Sequence, residues 1–308
     1  MQCIVLGSGG MMPMPQRRLT SLALRHAGRV YLFDCGEGTQ LPYKELHVGL
    51  RALTVVATTH LHADHVLGLP GLLMLRAQMP DPPPLTLLGV PGLRRFIEHV
   101  RADLGMFINY PIQVIEWSGD PQAPAYRDDQ VTIYWQPLDH RVLCLGYRLE
   151  EHERPGRFDP AAAARLGVPC GPLWGQLQHG SEVLLSGGAI VRPEQVLGLP
   201  RRGRHVAFIT DTAPCAGLQP LLRAVDLAFI EGMFAAAEQA DADEKRHLTA
   251  IQAAQAARRA EARRVILVHL SPRYDAAAAQ ALGVEAAAHH PLLEVARDGL
   301  LVELPLPD

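Results

Sequence analysis

No Cys-x-x-Cys pair occurs in the 308 residues, and the five cysteines (Cys3, Cys35, Cys144, Cys170 and Cys215) follow no spacing. An odd, unpatterned set argues against a disulfide framework and points to reduced thiols in a cytoplasmic protein. Long apolar runs are also missing: no stretch approaches the ~20 residues of a membrane helix, so no membrane association is expected. The N-terminal Met-Gln-Cys-Ile-Val-Leu-Gly reads as a strand entering a glycine turn, without the basic region and apolar core of a signal peptide. Excess positive charge is lacking too. At a net charge of -3 the chain as a whole offers phosphate no attraction, and a nucleic-acid partner would need local basic patches. No repeat on the order of 20 to 50 residues is visible, which excludes a solenoid. What remains, 48% apolar and 20% charged, is the balance of a soluble globular protein with a sizeable core.

Short apolar runs bounded by Gly, Pro or Asp recur, the pattern of buried strands. They cover Gln2 to Leu6, Ser21 to Leu24, Val30 to Phe33, Leu53 to Thr58, Ile112 to Trp117, Val131 to Trp135 and Leu143 to Leu149. Val206 to Ile209, Leu227 to Ile230 and Val265 to Val268 continue the series. His26-Ala27-Gly28-Arg29 reads as a hairpin turn. Helices are expected at Gly38 to His47, Leu69 to Ala77, Leu93 to Leu104, Thr249 to Ala262 and Asp275 to Leu282. The Gly- and Pro-rich stretch 151–199, with one small helix at Pro160 to Leu166, reads as an insertion and not as a layer of the core. The chain is therefore read as one α/β domain, 1–308, of paired sheets with helices outside, carrying an inserted arm.

The run His60-Leu61-His62-Ala63-Asp64-His65 follows directly on an apolar strand. Borderline divalent metals take imidazole nitrogen and carboxylate oxygen, and a two-metal site needs about seven such ligands with one shared. His60, His62, Asp64 and His65 supply four. Asp211 after Val206 to Thr210, His269 after Val265 to Val268, and His140 between two strands are each, alone, more often capping or turn residues. Beside the His-rich loop each supplies what the cluster lacks. His60, His62 and His140 would serve one ion and Asp64, His65 and His269 the other, with Asp211 between them. Hydrolysis also needs a proton for the leaving group. His247 oriented by Glu231 is the candidate acid, because a carboxylate bonded to imidazole fixes its tautomer and keeps it protonated near neutral pH.

The run Thr59 to His65 resembles the metallo-β-lactamase superfamily, whose fold is a four-layered αβ/βα sandwich. The closer similarity is to the ribonuclease Z family, endonucleases that remove the 3′ trailer from precursor tRNA. It is carried by Leu6-Gly7-Ser8-Gly9, Phe33-Asp34-Cys35-Gly36-Glu37-Gly38-Thr39-Gln40, Gly68-Leu69-Pro70-Gly71-Leu72-Leu73, Leu138-Asp139-His140-Arg141-Val142, Asp211-Thr212-Ala213-Pro214-Cys215 and His269-Leu270-Ser271-Pro272-Arg273-Tyr274. The resemblance implies the same seven ligands, two Zn²⁺ per chain and Asp64 as a proton acceptor. It implies precursor tRNA as partner and a homodimer in which the arm around Gly171-Pro172 of one subunit serves the other's site. Arg17 and Arg18, in Pro13-Met14-Pro15-Gln16-Arg17-Arg18, align with the family's Pro-x-Lys-x-Arg-Asn loop at the tRNA 3′ region, and Arg273 is a candidate phosphate contact. Two motifs depart from the family: Ile230-Glu231-Gly232-Met233 stands for His-Glu-Ala-Thr, and His247-Leu248-Thr249 for His-Ser-Thr. The lysine of the N-terminal loop is also lost. These changes keep a rival reading in view, a phosphodiesterase of the same fold acting on other RNA or small phosphodiesters. A di-iron oxidoreductase is disfavoured because that class places a carboxylate where this chain has His62.

Overall fold

Successive residues of a strand face opposite sides of a sheet, so a strand buried on both sides needs apolar residues at every position. Most strands here meet that condition. The computed structural model describes residues 1–307, and in it the chain divides into two compact units: Met1–Glu150 with His205–Pro305, and Glu151–Arg204 with Leu306 and Pro307.

In the larger unit the first strands are β1 (Gln2–Gly7), β2 (Ser21–His26), β3 (Arg29–Phe33), β4 (Leu53–Ala57), β5 (Leu85–Gly89) and β6 (Ile112–Glu116). Next come β7 (Tyr126–Arg127), β8 (Val131–Leu138) and β9 (Cys144–Glu151). A short hairpin, β10 (Val183–Leu184) and β11 (Ile190–Val191), belongs to the smaller unit. The chain closes with β12 (His205–Ile209), β13 (Leu227–Glu231), β14 (Val265–Val268), β15 (Leu293–Val295) and β16 (Leu301–Glu303). Two seven-stranded sheets result, in the orders β16-β1-β2-β3-β4-β5-β6 and β15-β14-β13-β12-β9-β8-β7. Each is mixed: β3 to β6 run parallel in the first, β12 to β15 in the second.

Alternation along the strands sorts the side chains into layers. Cys3, Val5, Leu22, Leu24, Tyr31, Phe33, Val55 and Ala57 of the first sheet pack against Ile133, Trp135, Tyr147, Val206, Phe208, Phe229 and Ile266 of the second. Ile4, Leu6, Val30, Leu32 and Val56 face the other way, onto Leu69, Leu72 and Leu73 of the helix Gly68–Arg76 and Leu93 and Ile97 of the helix Leu93–Asp103. Ala207, Ile209, Ala228, Ile230 and Leu267 likewise meet helices Leu218–Leu222, Ala250–Arg259 and Ala276–Ala287. Helix, sheet, sheet and helix make the four-layered αβ/βα sandwich of the metallo-β-lactamase superfamily. The hairpin at His26 and Arg29 turns on Ala27 and Gly28, both at positive φ (47° and 76°), which matches the twist of the strands it joins.

Several elements escape the sequence pattern. β5 follows Pro82-Pro83-Pro84, β15 and β16 are three residues each, and β16 exists only by pairing with β1 at the other end of the chain. The stretch read as a Gly- and Pro-rich insertion has a hydrophobic cluster of its own. Ala163, Val168, Leu177, Val183, Val191 and Val196 are buried together there, beneath the helices Pro160–Arg165 and Pro172–Gln178. Arg204 and Glu151, both largely buried, pair at 2.7 Å in the same unit. Among the described residues no helix is long and apolar enough to cross a membrane.

Phe208 lies at the centre of the inter-sheet layer, 1% exposed, its ring 5.6 Å from that of Phe33. Phe208→Ala should lower the unfolding free energy by about 3–5 kcal/mol in chemical denaturation. Val284→Ala, at a position 77% exposed, should change it by less than about 0.5 kcal/mol. Similar losses for the two would contradict the layering described.

Candidate metal centre and acid dyad

The ligand candidates gather where strands end. β4 runs through the buried Thr58 and Thr59 into His60, and the short helix Ala63–Val66 carries Asp64 and His65. Asp211 lies two residues past β12, His269 one past β14, and His140 between β8 and β9. Asp211 and His269 adopt left-handed backbone (φ 44° and 55°), as does Asp34 (φ 55°) directly after β3. Non-glycine residues held there cost about 1–3 kcal/mol each, and such positions cluster at functional sites.

Besides a set of Asp211, His247 and His269, two groups take up the expected ligands, each with its ligand atoms within 4.8 Å of one another: His60, His62, His140 and Asp211; and Asp64, His65 and His269. Asp211 faces both. Its Oδ2 lies 3.8 Å from His60 Nε2 and 3.7 Å from His140 Nε2. Its Oδ1 lies 3.3 Å from His65 Nε2 and 3.2 Å from His269 Nε2. Asp64 Oδ2 stands 3.4 Å from His65 Nε2 and 3.6 Å from His269 Nε2, and accepts a hydrogen bond from the Met11 backbone N–H at 2.8 Å. His65 Nε2, His269 Nε2 and Asp211 Oδ1 are buried without any hydrogen-bond partner. Buried polar atoms are normally satisfied. Orphaned imidazole nitrogens and a carboxylate oxygen converging on shared points fit divalent cations.

Surrounding groups hold the imidazoles in place. His65 Nδ1 donates to Asp34 Oδ2 at 2.7 Å, and Asp34 also accepts from the Thr59 N–H (2.7 Å) and Thr59 Oγ1 (3.0 Å). His140 Nδ1 donates to the Arg246 carbonyl at 3.1 Å. Burial, together with the charge of neighbouring imidazoles, keeps His60 well below the usual histidine range, and burial also lowers His140. Neutral imidazole is the form that binds metal. His65 is driven the other way: burial opposes its charge, but Asp211 and Asp34 outweigh it. Burial also opposes ionisation of Asp64 and Asp211, yet the surrounding histidines hold both carboxyls well below the usual range.

Glu231 ends β13, fully buried, and His247 precedes the helix Ala250–Arg259, which Thr249 caps through Oγ1 to the Gln252 N–H. His247 Nδ1 donates to Glu231 Oε2 at 3.0 Å, while Glu231 Oε1 accepts the Thr212 N–H, one residue from Asp211. The His247 ring centroid is 5.1 Å from that of His140 and 5.7 Å from that of His269, so the dyad borders both ligand groups. Burial penalises the His247 cation, but the charge and hydrogen bond of Glu231 outweigh this and raise its pKa to about 9. The departures from the family's motifs fall elsewhere: Ile230 and Leu248 are both buried in the outer, helix-facing layer and leave the His247–Glu231 bond intact.

The arginines expected at substrate are engaged with the protein. Arg17 donates to the carbonyls of Ser271 (3.2 Å) and Tyr274 (2.9 Å). Arg18 pairs with Glu45 at 2.9 Å, their side chains 39% and 56% exposed. Arg273 pairs with Glu238 and with Asp241 at 3.3 Å and lies over the Phe234 ring, the structural ion pair among its possible roles. Gly171 and Pro172 open the helix Pro172–Gln178 in the smaller unit. Sequence reasoning gave Asp34 no role. Its signals are its place directly after a strand and within Phe33 to Gln40, one of the stretches that carry the family resemblance. Gly10 was also passed over: a Cβ there would lie 2.6 Å from the His269 ring.

Sandwich and site together define a protein of the metallo-β-lactamase superfamily. The superfamily's own model matches residues 18–75, and a beta-lactamase superfamily domain model matches residues 173–270. The chain is 44% identical over 274 residues to the ribonuclease Z of Treponema denticola, covering 89% of this chain and 88% of that one. Against the ribonuclease Z of Treponema pallidum strain Nichols it is 43% identical, covering 99% and 97%. The solved structure of the short form of human tRNase Z shares the fold at a TM-score of 0.73, with 23% identity and coverage of 99% and 100%. The chain belongs to the ribonuclease Z family.

Two outcomes test the supporting contacts. Asp34→Asn keeps the shape but loses the charge opposite His65, and such partners are worth about 10–100-fold in metal affinity. Chelator competition should show a loss of that size, and unchanged affinity would leave Asp34 a fold residue only. For the dyad, the His247 cation persists at pH 7 and is lost as pH rises through about 9. In metal-stripped protein an NMR titration should find His247 near that value. Glu231→Gln should lower it toward the ordinary histidine value, because burial is then opposed only by the charge of Asp211. A midpoint that ignores the substitution would separate the two residues.

Proposed function

We propose that this protein is a zinc-dependent endoribonuclease that removes the 3′ trailer from precursor tRNA. One observation carries the chemical part. Seven imidazole and carboxylate side chains stand in two groups sharing Asp211, with a buried His–Glu pair at their border. Four ligands satisfy one tetrahedral ion, so seven with a shared carboxylate suit two, and this mixed nitrogen and oxygen set suits zinc. His60, His62 and His140 would hold one ion, Asp64, His65 and His269 the other, and Asp211 both. Ions held there would supply Lewis acidity, lowering the pKa of water and neutralising charge on phosphoryl oxygens.

The chain's own residues have the remaining work. Asp64 sits at the edge of the cluster, 14% exposed at its side chain, and is the proposed acceptor of the proton from the attacking water. His247, held protonated at neutral pH, would give a proton to the departing ribose oxygen, with Glu231 fixing its tautomer through Nδ1. The tRNA assignment rests on the 43–44% identity to ribonuclease Z proteins across most of the chain. Residues 151–199, with Gly171-Pro172, are the proposed arm on the tRNA, Arg18 the proposed contact in the N-terminal loop, and a homodimer in the cytoplasm the proposed setting. Arg17 and Arg273 are better read as structural, since backbone carbonyls occupy the first and two carboxylates the second.

Precursor tRNA and a small aryl phosphodiester, tested side by side, decide the reading. Remote binding energy accelerates only a substrate that has a remote part. Deleting residues 156–180 should abolish trailer removal while sparing the aryl ester, with metal content retained and circular dichroism changed only by the loss of the helices Pro160–Arg165 and Pro172–Gln178. A folded, metal-loaded deletion protein that processes tRNA normally would dismiss the arm. Intact protein that hydrolyses the aryl ester but leaves precursor tRNA uncut would favour the broader phosphodiesterase reading.

A further inference from the structure

Between the metal group and the acid lies one residue that touches both, Arg246. It closes the helix Gln239–Lys245 in left-handed backbone, φ 57° and ψ 57°, where glycine or asparagine is usual. That turn gives it three connections. Its carbonyl accepts the His140 Nδ1–H at 3.1 Å. Its guanidinium pairs with Asp139, the residue before His140. Its peptide bond leads straight into His247, whose own N–H returns to the Ala242 carbonyl at 2.9 Å. Arg141, on the far side of His140, donates to the Glu244 carbonyl at 3.1 Å, so the loop 139–141 is tied to this helix end at three points. Across that loop, the Ala213 N–H donates to the Asp139 carbonyl at 2.8 Å and Thr212 Oγ1 accepts the Asp139 N–H at 3.2 Å. His140 is thus held between the Asp211 loop on one side and the turn at Arg246 on the other.

We propose that Arg246 is a positioning residue whose left-handed backbone sets His140 and His247 as one rigid pair. The carbonyl selects the His140 tautomer that presents Nε2 to the cluster, and the same turn fixes where the His247 ring begins. The Asp139 ion pair is exposed on both sides, and screening by water leaves it little effect by itself. The backbone conformation carries the effect. This inference rests on the metal and acid roles proposed above.

Substitutions that differ in tolerance for positive φ separate backbone from side chain. Arg246→Gly accepts the conformation freely but removes the guanidinium, whereas Arg246→Val, β-branched, resists it. Two readouts apply to the metal-loaded full chain: chelator competition for zinc, and solvent exchange of the His140 Nδ1–H by NMR. Arg246→Gly should keep zinc affinity within about twofold and the slow exchange of wild type, since the positioning carbonyl is retained. Arg246→Val should lose about tenfold or more in affinity for one zinc equivalent and speed the exchange. It should also slow an RNA bond more than an aryl ester, because His247 moves as well. Equal losses in both variants, or none in Arg246→Val, would overturn the proposal. If Arg246→Val does not fold, wild type still decides: a His140 with its proton on Nε2, or with an Nδ1–H that exchanges as freely as in a mobile side chain, is equally fatal. The exchange measurement involves no turnover, so it can fail while the endonuclease reading stands, and the reverse.

Discussion

The buried carboxylate of Asp211 is the constraint around which the reactive end of this protein is organised. It is 3% exposed and faces four imidazoles at 3.2–3.8 Å, two on each oxygen. An ionised carboxylate out of water is tolerable only where opposite charge or cations surround it. The segments after three strand ends supply that surrounding: His60 and His65 after β4, His140 after β8 and His269 after β14. A site of this kind cannot be built from one segment, because no single loop can direct so many donors at one point.

The sandwich supplies the rigidity. Phe33, Tyr147 and Phe208 pack against one another with centroids 5.6 and 5.9 Å from the Phe33 ring, directly behind the strand ends. Tyr147 Oη donates to the Thr58 carbonyl at 2.7 Å, and the Leu145 N–H to the Thr59 carbonyl at 2.9 Å, so the second sheet grips the strand that carries the histidine loop of the first. Against that packing the left-handed turns at Asp34, Asp211 and His269 can be held in spite of their cost. The strain is what swings each side chain from the strand direction into the cluster.

Acid and metal groups share the same supports, and carboxylates set the charge of each ring: Asp211 and Asp34 raise His65 as Glu231 raises His247. Glu231 keeps His247 protonated, while burial keeps His60 and His140 neutral, although the rings of His140 and His247 are neighbours. One cluster of histidines can thus include both ligands and a proton donor, because the distribution of carboxylates, and not the residue type, decides which ring is charged.

Much of this was legible in the residues themselves. Short continuous apolar runs located ten strands, because burial on both faces leaves that mark locally. The His60–His65 run and strand-end Asp211, His269 and His140 announced a metal centre, because ligand chemistry restricts residue type. The sequence could not announce Asp34, Gly10 or the Arg246 turn. An aspartate, a glycine and an arginine are common in loops, and their roles arise only from what a distant segment brings into contact. The same holds for β16, which has three residues and no pattern but finds β1 across the chain, and for Arg17 and Arg273, whose charges the fold directs at its own carbonyls and carboxylates. Local composition determines which segments bury themselves and which atoms can bind a cation. Which of those atoms meet, and which charges remain free for a substrate, is decided by long-range packing that no local segment encodes.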